Sequence, residues 1–252
     1  MGRVQDKVAL VTGGASGVGR ETVRLLLQEG AFVAISDINL DAGQTLADEC
    51  GERALFVRHD VASEADWRAA IAAVRQRLGP LDILINNAGI LIPGSIESAT
   101  LAQFRQLMQV NVDSCFLGCQ QGVAAMKERG GSIVNMASVS SWLPIEGYAG
   151  YSASKAAVAA LTRAAALYCR KNGHAVRVNS LHPDGIYTPM MQASAPGVPA
   201  KFLLFDPKSN PKGRACLPEQ IAKVLLFLAS DDSQAISGAE IRADSAIVGM
   251  GL

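Results

Sequence analysis

The sequence predicts a doubly wound α/β fold of the Rossmann type, a central parallel sheet of about seven strands with helices on both faces. Three observations carry that expectation. Short apolar runs alternate with helical stretches along the chain, the first run leads into a glycine-rich turn, and the runs are apolar throughout instead of alternating with polar residues. Strands that are apolar on both sides belong to a parallel sheet covered above and below, and the βαβ alternation brings right-handed crossovers. At 252 residues the chain suits one large α/β domain or two small ones. No linker of boundary character and no short-period repeat divides it, so one domain over 1–252 is expected.

The elements follow in order. Residues 7–12 form the first strand, and 20–28 a helix ended by Gly30. The second strand is 31–36. A helix over 41–50 has Asp41 as its candidate N-cap, and Ala54–Arg58 is the third strand. After a helix over 64–78, the fourth strand, 81–85, runs into Asn86-Asn87-Ala88-Gly89. A long helical pattern covers 100–128, and 132–136 is the fifth strand. The alanine-rich helix 151–171 stops at Asn172-Gly173, a C-terminal signal. Residues 176–181 are the sixth strand. The stretch 184–216, rich in Pro, Met and Gly, reads as irregular; loops this long in compact domains are functional or mobile, so it is the expected substrate-binding loop or lid. A helix over 219–228 and the strand Glu240–Ala243 close the sheet.

Composition excludes several function classes. Twenty-three basic and 23 acidic residues give zero formal net charge, which removes the main argument for a nucleic-acid partner. There is no run of 18 apolar residues for a membrane span, and residues 1–7 do not resemble a signal peptide, so a cytoplasmic protein is expected. The five cysteines, Cys50, Cys115, Cys119, Cys169 and Cys216, are odd in number and lack framework spacing. Cys115 and Cys119 share a helix face. With only His59, His174 and His182 as histidines, no metal is expected, and the thiols read as small buried apolar residues.

Three constellations carry chemistry. The turn Thr12-Gly13-Gly14-Ala15-Ser16-Gly17-Val18-Gly19 lies between the first strand and the first helix, where glycines let backbone approach a pyrophosphate and the helix N-terminus offers N–H groups. A P-loop is disfavoured because no Gly-Lys-Ser/Thr follows. Asp37 ends the second strand, where an acid accepts hydrogen bonds from the adenosine ribose and repels a 2′-phosphate; this favours NAD over NADP. Its bland alternative is a turn or cap residue. Tyr151 and Lys155 stand four apart on one helix face. Tyrosine has an ordinary pKa of about 10, and a neighbouring ammonium together with a nicotinamide cation favours the phenolate. A lowering of about three units represents about 4 kcal/mol and would make Tyr151 a general base for alcohol oxidation and an acid for ketone reduction. Tyr148 and Tyr168 lack a lysine at that spacing.

With these residues in place, the chain resembles the classical short-chain dehydrogenase/reductase family. The pieces occur in order over nearly its whole length: the 12–19 turn, Asp60-Val61, Asn86 to Gly89, Asn111, Ser138, Tyr151 and Lys155. The resemblance implies hydride transfer between NAD and a secondary alcohol or ketone. Gly13, Ser16, Gly17, Val18 and Gly19 would cradle the cofactor, Asp60 and Val61 would meet adenine, and Asn87, Ala88 and Gly89 would line its adenosine ribose side. Ser138 would hydrogen-bond the substrate oxygen, though a strand-end turn serine, like Ser140 and Ser141, is the alternative. Lys155 would bind the nicotinamide ribose and lower the Tyr151 pKa. Asn111, locally unfavourable in mid-helix, would hold a water linking Lys155 to solvent. Pro183, Ile186 and Thr188 would also meet the cofactor, the last two at its carboxamide. Where the family has Pro-Gly, this chain inserts Asp184, read as a turn residue; where the family has Asp-Gly-Gly, it has Asp244-Ser245-Ala246.

The expected pocket walls are apolar: Leu91-Ile92-Pro93, Trp142 to Ile145, and Tyr187, Met190, Met191 and 202–205. Ser138, Tyr151, Trp142, Tyr187 and Met190 are the candidate substrate contacts, although any one could instead pack the loop or a subunit contact. The wording of 137–146, 182–191 and 249–252 resembles the bacterial hydroxysteroid dehydrogenases of that family, which implies a 3β- or 17β-hydroxysteroid substrate. Other cyclic or aryl alcohols remain open. A 3-oxoacyl thioester reductase would need a basic patch that the sequence does not reveal, and a non-catalytic scaffold conflicts with Ser138, Tyr151 and Lys155 all being present. The alanines of helix 151–171 occupy more than one face, and the family resemblance implies a homotetramer.

Overall fold

The computed structural model describes residues 2–194 and 196–250. Residues 251 and 252 of the tail singled out above therefore lie outside the described residues. The order is β1 (Val8–Thr12), α1 (Gly17–Gln28), β2 (Phe32–Asp37), α2 (Leu40–Cys50), β3 (Ala54–Arg58), α3 (Glu64–Arg77) and β4 (Ile83–Asn86). Then come α4 (Leu101–Met108), α5 (Ser114–Met126), β5 (Gly131–Met136), α6 (Ala149–Lys171) and β6 (Val176–Pro183). The chain continues through β7 (Gly185–Ile186), α7 (Pro189–Ser194), α8 (Ala200–Leu203), β8 (Ala215–Cys216), α9 (Pro218–Ala229) and β9 (Glu240–Ala243).

Seven strands form one parallel sheet in the order β3-β2-β1-β4-β5-β6-β9. Strand winding reverses between β1 and β4, and such a switch point opens a crevice at the carboxyl ends of the strands. The apolar strands feed two cores because side chains alternate across the sheet. From β1, Ala9 and Val11 pack with Val23 and Leu26 of α1 and Ile221 and Leu225 of α9; Val8 and Leu10 pack with Trp67 of α3, Met126 of α5 and Val158 of α6. That two-sided burial is why β1 carries no polar alternation. No helix among the described residues is long and apolar enough to cross a membrane.

Three local expectations are corrected. Asn39, not Asp41, caps α2: its side chain accepts from the Ala42 N–H at 3.1 Å, and Asp41 falls in the first turn, where its charge suits the helix dipole. The helix over 100–128 is interrupted by a π turn at Gln109–Asp113. The 184–216 stretch is partly regular, because Gly185 pairs with Ala215 and Ile186 with Cys216, so its two ends are zipped into a small parallel ladder. Ser245 (φ 48°) and Ala246 (φ 69°) occupy left-handed backbone where the family has glycines. The buried Asp244 carboxylate holds that turn by accepting from the N–H groups of Ala246 and Val248, at 3.3 and 3.0 Å.

Candidate active site

The turn after β1 is fixed by backbone contacts. Gly13 has φ 62°, and a Cβ on Gly19 would stand 2.0 Å from the Gly13 carbonyl oxygen, so a side chain there would collide with main chain. Asn87, past the end of β4, donates from its amide to the carbonyls of Thr12 (2.9 Å) and Gly13 (3.2 Å). The Thr12 hydroxyl accepts from the N–H groups of Asn87 and Ala88, both at 3.0 Å. Asn87 thus spends its side chain stitching the turn to the neighbouring strand.

This geometry suits a dinucleotide. Ser16 stands at the α1 N-cap without a side-chain cap, and the first turn holds no acidic residue, so the helix N-terminus is open to an anion. A Cβ on Gly17 would meet the Thr188 methyl at 3.3 Å, which places the turn against the segment after β7. Asp37, at the end of β2, accepts from the Ala15 N–H at 3.1 Å and the Asn39 N–H at 3.0 Å, leaving carboxylate lone pairs for ribose hydroxyls. Asp60 is exposed. Val61 is buried in the core beneath, and its carbonyl accepts from the Trp67 indole at 2.9 Å. Beside it His59 is sealed against Trp67, its Nδ1 2.7 Å from the Ser36 hydroxyl, and burial pushes its pKa down to about 4.

Further along the same sheet edge stand Ser138, Tyr151, Lys155 and Asn111. Ser138, after β5, opens a short helical turn at Val139–Ser141 and accepts from the Ser140 N–H at 3.2 Å. Tyr151 lies in the first turn of α6, near enough to the Ser138 hydroxyl for that group to act on its pKa. Burial raises the Tyr151 pKa above its ordinary value and the Ser138 contact partly offsets this. The Lys155 ammonium stands 5.7 Å from the Tyr151 ring centroid. Lys155 is 4% exposed, donates to the Met136 carbonyl at 2.8 Å, and is lowered by burial to about 8. Its remaining donors face Gly89, where a Cβ would lie 3.5 Å from Nζ.

Asn111 sits buried within the π turn, a distortion that recurs at functional sites. Its amide donates to the Ile90 carbonyl and the Ser154 hydroxyl, both at 3.0 Å, and its oxygen accepts from the Ile90 N–H at 2.8 Å. These bonds tie the end of β4 to α6, behind Lys155.

Two features escaped sequence reasoning. His182 of β6, weighed only as a metal ligand, has its Nδ1 3.0 Å from the Ser138 carbonyl and 2.8 Å from the Ser141 hydroxyl. Asp184 is more than a turn residue. It takes the Arg214 guanidinium in a two-point fork, 2.8 and 2.9 Å, and so clamps the base of the 184–216 segment. Thr188 bonds within its own loop, its hydroxyl donating to the Ile186 carbonyl at 3.2 Å, and Pro183 is buried against Ala243. Large apolar side chains are exposed on the segments expected to wall a pocket: Trp142 (40%), Ile145, Met190 (43%), Phe202 (65%) and Phe205. Tyr187 is half-buried. Cys115 and Cys119 are buried, and among the described residues no group of three or more His, Cys, Asp or Glu side chains is placed to hold a metal ion.

Comparison with known proteins bears on this site. A family model described as enoyl-(acyl carrier protein) reductase matches residues 13–246. The chain is 68% identical over 251 residues to the 3-beta-hydroxysteroid dehydrogenase of Comamonas testosteroni, covering 99% of each chain. It is 39% identical over 248 residues to the 3-alpha-(or 20-beta)-hydroxysteroid dehydrogenase of Mycobacterium tuberculosis, covering 98% of this chain and 91% of that one. It is 36% identical over 251 residues to the trans-4-hydroxycyclohexanecarboxylate dehydrogenase of Sinomonas cyclohexanicum, covering 96% and 93%.

Proposed function

The chain belongs to the short-chain dehydrogenase/reductase family, oxidoreductases acting on CH–OH groups, and from that premise we propose that it is an NAD-dependent dehydrogenase of 3β-hydroxysteroids, with 17β-hydroxysteroids as further substrates. The observation that carries the reading is the 68% identity, over 99% of both chains, to a 3-beta-hydroxysteroid dehydrogenase. The exposed apolar side chains of 142–145 and 190–205 support it, since a rigid, bulky, apolar substrate needs such walls. Asp37 supports NAD, because its carboxylate, already anchored by two backbone N–H groups, would face a 2′-phosphate with like charge.

When bound, the cofactor supplies the hydride acceptor or donor and, oxidised, a positive ring that favours the Tyr151 phenolate. Ser138 and Tyr151 would hold the substrate oxygen between their hydroxyls, with Tyr151 taking its proton on oxidation and returning it on reduction. Lys155 would hold the nicotinamide ribose with the donors that Met136 leaves free. Asn111 would carry the proton path from Lys155 towards solvent, its position fixed by Ile90 and Ser154. The segment 184–216, clamped at its base by Asp184 and Arg214, would close over the substrate. The proposal includes a homotetramer and a cytoplasmic location; Phe116, Leu167 and Tyr168, exposed on α5 and α6, offer an apolar face for a subunit contact.

The test is cofactor reduction followed optically with NAD or NADP and a panel of 3β- and 17β-hydroxysteroids, cyclohexanols and aryl carbinols. We expect 3β-hydroxysteroid turnover with NAD, falling about 10³-fold in kcat for Tyr151→Phe. Steroid turnover slower than that of small cyclic alcohols by orders of magnitude would remove the steroid assignment. Preference for NADP would overturn the role given to Asp37.

A further inference from the structure

We infer that His182 is a positioning residue for Ser138: its sealed ring pins the 138–142 turn to β6 and thereby fixes the Ser138 hydroxyl and the Trp142 ring. The inference deepens the proposed function and rests on Ser138 and Tyr151 acting on the alcohol oxygen.

The ring is fully buried at the carboxyl end of β6 and links that strand to the turn after β5. On one side Nδ1 faces the Ser138 carbonyl at 3.0 Å and the Ser141 hydroxyl at 2.8 Å. A carbonyl can only accept, so Nδ1 carries the proton. Nε2 is then an acceptor, and the Ser180 hydroxyl donates to it at 2.8 Å. The Trp142 indole stacks on the ring at 4.2 Å between centroids and 17° between planes, so the same histidine places a wall of the expected substrate pocket.

The charged groups around the ring keep it in this form. From β9, Glu240 Oε2 lies 3.8 Å from Nε2, too far for a hydrogen bond, while its other oxygen pairs with Arg163 of α6. Burial is the main cause that pushes the ring's pKa down to about 4; the Ser138 carbonyl works against it, and Lys155 and Arg163 of α6 add smaller contributions that disfavour the cation. A neutral ring with one donor and one acceptor can satisfy Ser138 and Ser180 at once in only one tautomer. Glu240 Oε2, buried without a hydrogen-bond partner among the described residues, is the competing acceptor that would draw the proton to Nε2 if the Ser180 hydroxyl were lost. The Ser138 hydroxyl is set by its own turn, through the Ser140 N–H, and His182 holds that turn at two points.

The experiment compares His182→Leu, His182→Asn, Ser180→Ala and Ser180→Thr in kcat, KM, NAD affinity and thermal midpoint, using the best alcohol of the panel. Asparagine keeps a donor where Nδ1 stands. His182→Leu is expected to lose about 30-fold in kcat, with NAD affinity within twofold of wild type, and His182→Asn to recover at least a third of the lost rate. Ser180→Ala, a smaller change that the fold should tolerate, is expected to lose about fivefold in kcat, restored by Ser180→Thr. Equal losses in His182→Leu and His182→Asn that track the thermal midpoint would overturn the inference, as would unchanged kcat in Ser180→Ala. A wild-type protein that oxidises none of the alcohols would overturn the functional reading itself, and the inference with it. An active wild type with an unchanged His182→Leu would overturn the inference alone.

Discussion

The turn after β1 and the crossing after β6 leave the same edge of the same sheet, the first held along its whole length and the second only at its base. Residues 12–19 are locked through main chain: a Cβ on Gly19 would strike the Gly13 carbonyl, and the Asn87 amide caps the carbonyls of Thr12 and Gly13. Residues 184–216 are held only at their base, by the Asp184–Arg214 side-chain fork and a two-rung backbone ladder, and carry apolar side chains in the open at Met190, Phe202 and Phe205. Backbone N–H groups offer the same donors whatever side chains they carry, which suits a binding surface for an invariant phosphate group. Side-chain clamps on a long loop can vary with the sequence, which suits a surface that must match one substrate among many.

The difference predicts unequal responses. Gly19→Ala should cost about 3 kcal/mol in denaturant unfolding, with NAD binding abolished, since neither colliding atom can turn aside. A loss below about 1 kcal/mol would show that the turn yields as a loop does. Acid should weaken the fold outside both regions, through two sealed neutral histidines, His59 just after β3 and His182 near the end of β6. Both pKa values are lowered from 6.5 to about 4 in the fold. The unfolded chain therefore binds more protons between those values. The stabilisation is complete above about pH 6.5 and declines as pH falls towards 4, by about 2 kcal/mol per ring between pH 7 and 5. Urea unfolding at the two pH values checks this, and His59→Gln should remove about half of the difference. The smallest effect is expected for Arg214→Ala, which frees the base of the long segment: KM for the alcohol should rise about fivefold, or about 1 kcal/mol, with NAD affinity unchanged. An equal loss of NAD affinity would mean that the two regions are not separable.

Much of the fold was legible because its signals are local. β3 and β9 have the bounds their apolar runs predict, the other five strands of the large sheet shift only at their ends, and the glycine turn lies where its spacing puts it. The sequence could not choose between Asn39 and Asp41 as the α2 cap, since both are good cap residues and the helix itself starts at Leu40. The π turn around Asn111 was also hidden, because hydrogen bonds from Asn111 to Ile90 and Ser154, far away in the chain, accompany it and helical periodicity does not reveal them.

By itself the sequence determined the parallel α/β architecture, the phosphate-suited turn and the pairing of Tyr151 with Lys155, because strand pattern, glycine backbone freedom and the i, i+4 spacing act over a few residues, whereas Ser138 was picked out by the family resemblance. Only the tertiary structure decided that His182 meets Ser138, that Arg214 clamps Asp184, and that burial raises the Tyr151 pKa and lowers that of Lys155. Those facts depend on the register of β5 against β6, on the closure of the long segment and on exclusion of water, none of which is a property of neighbouring residues.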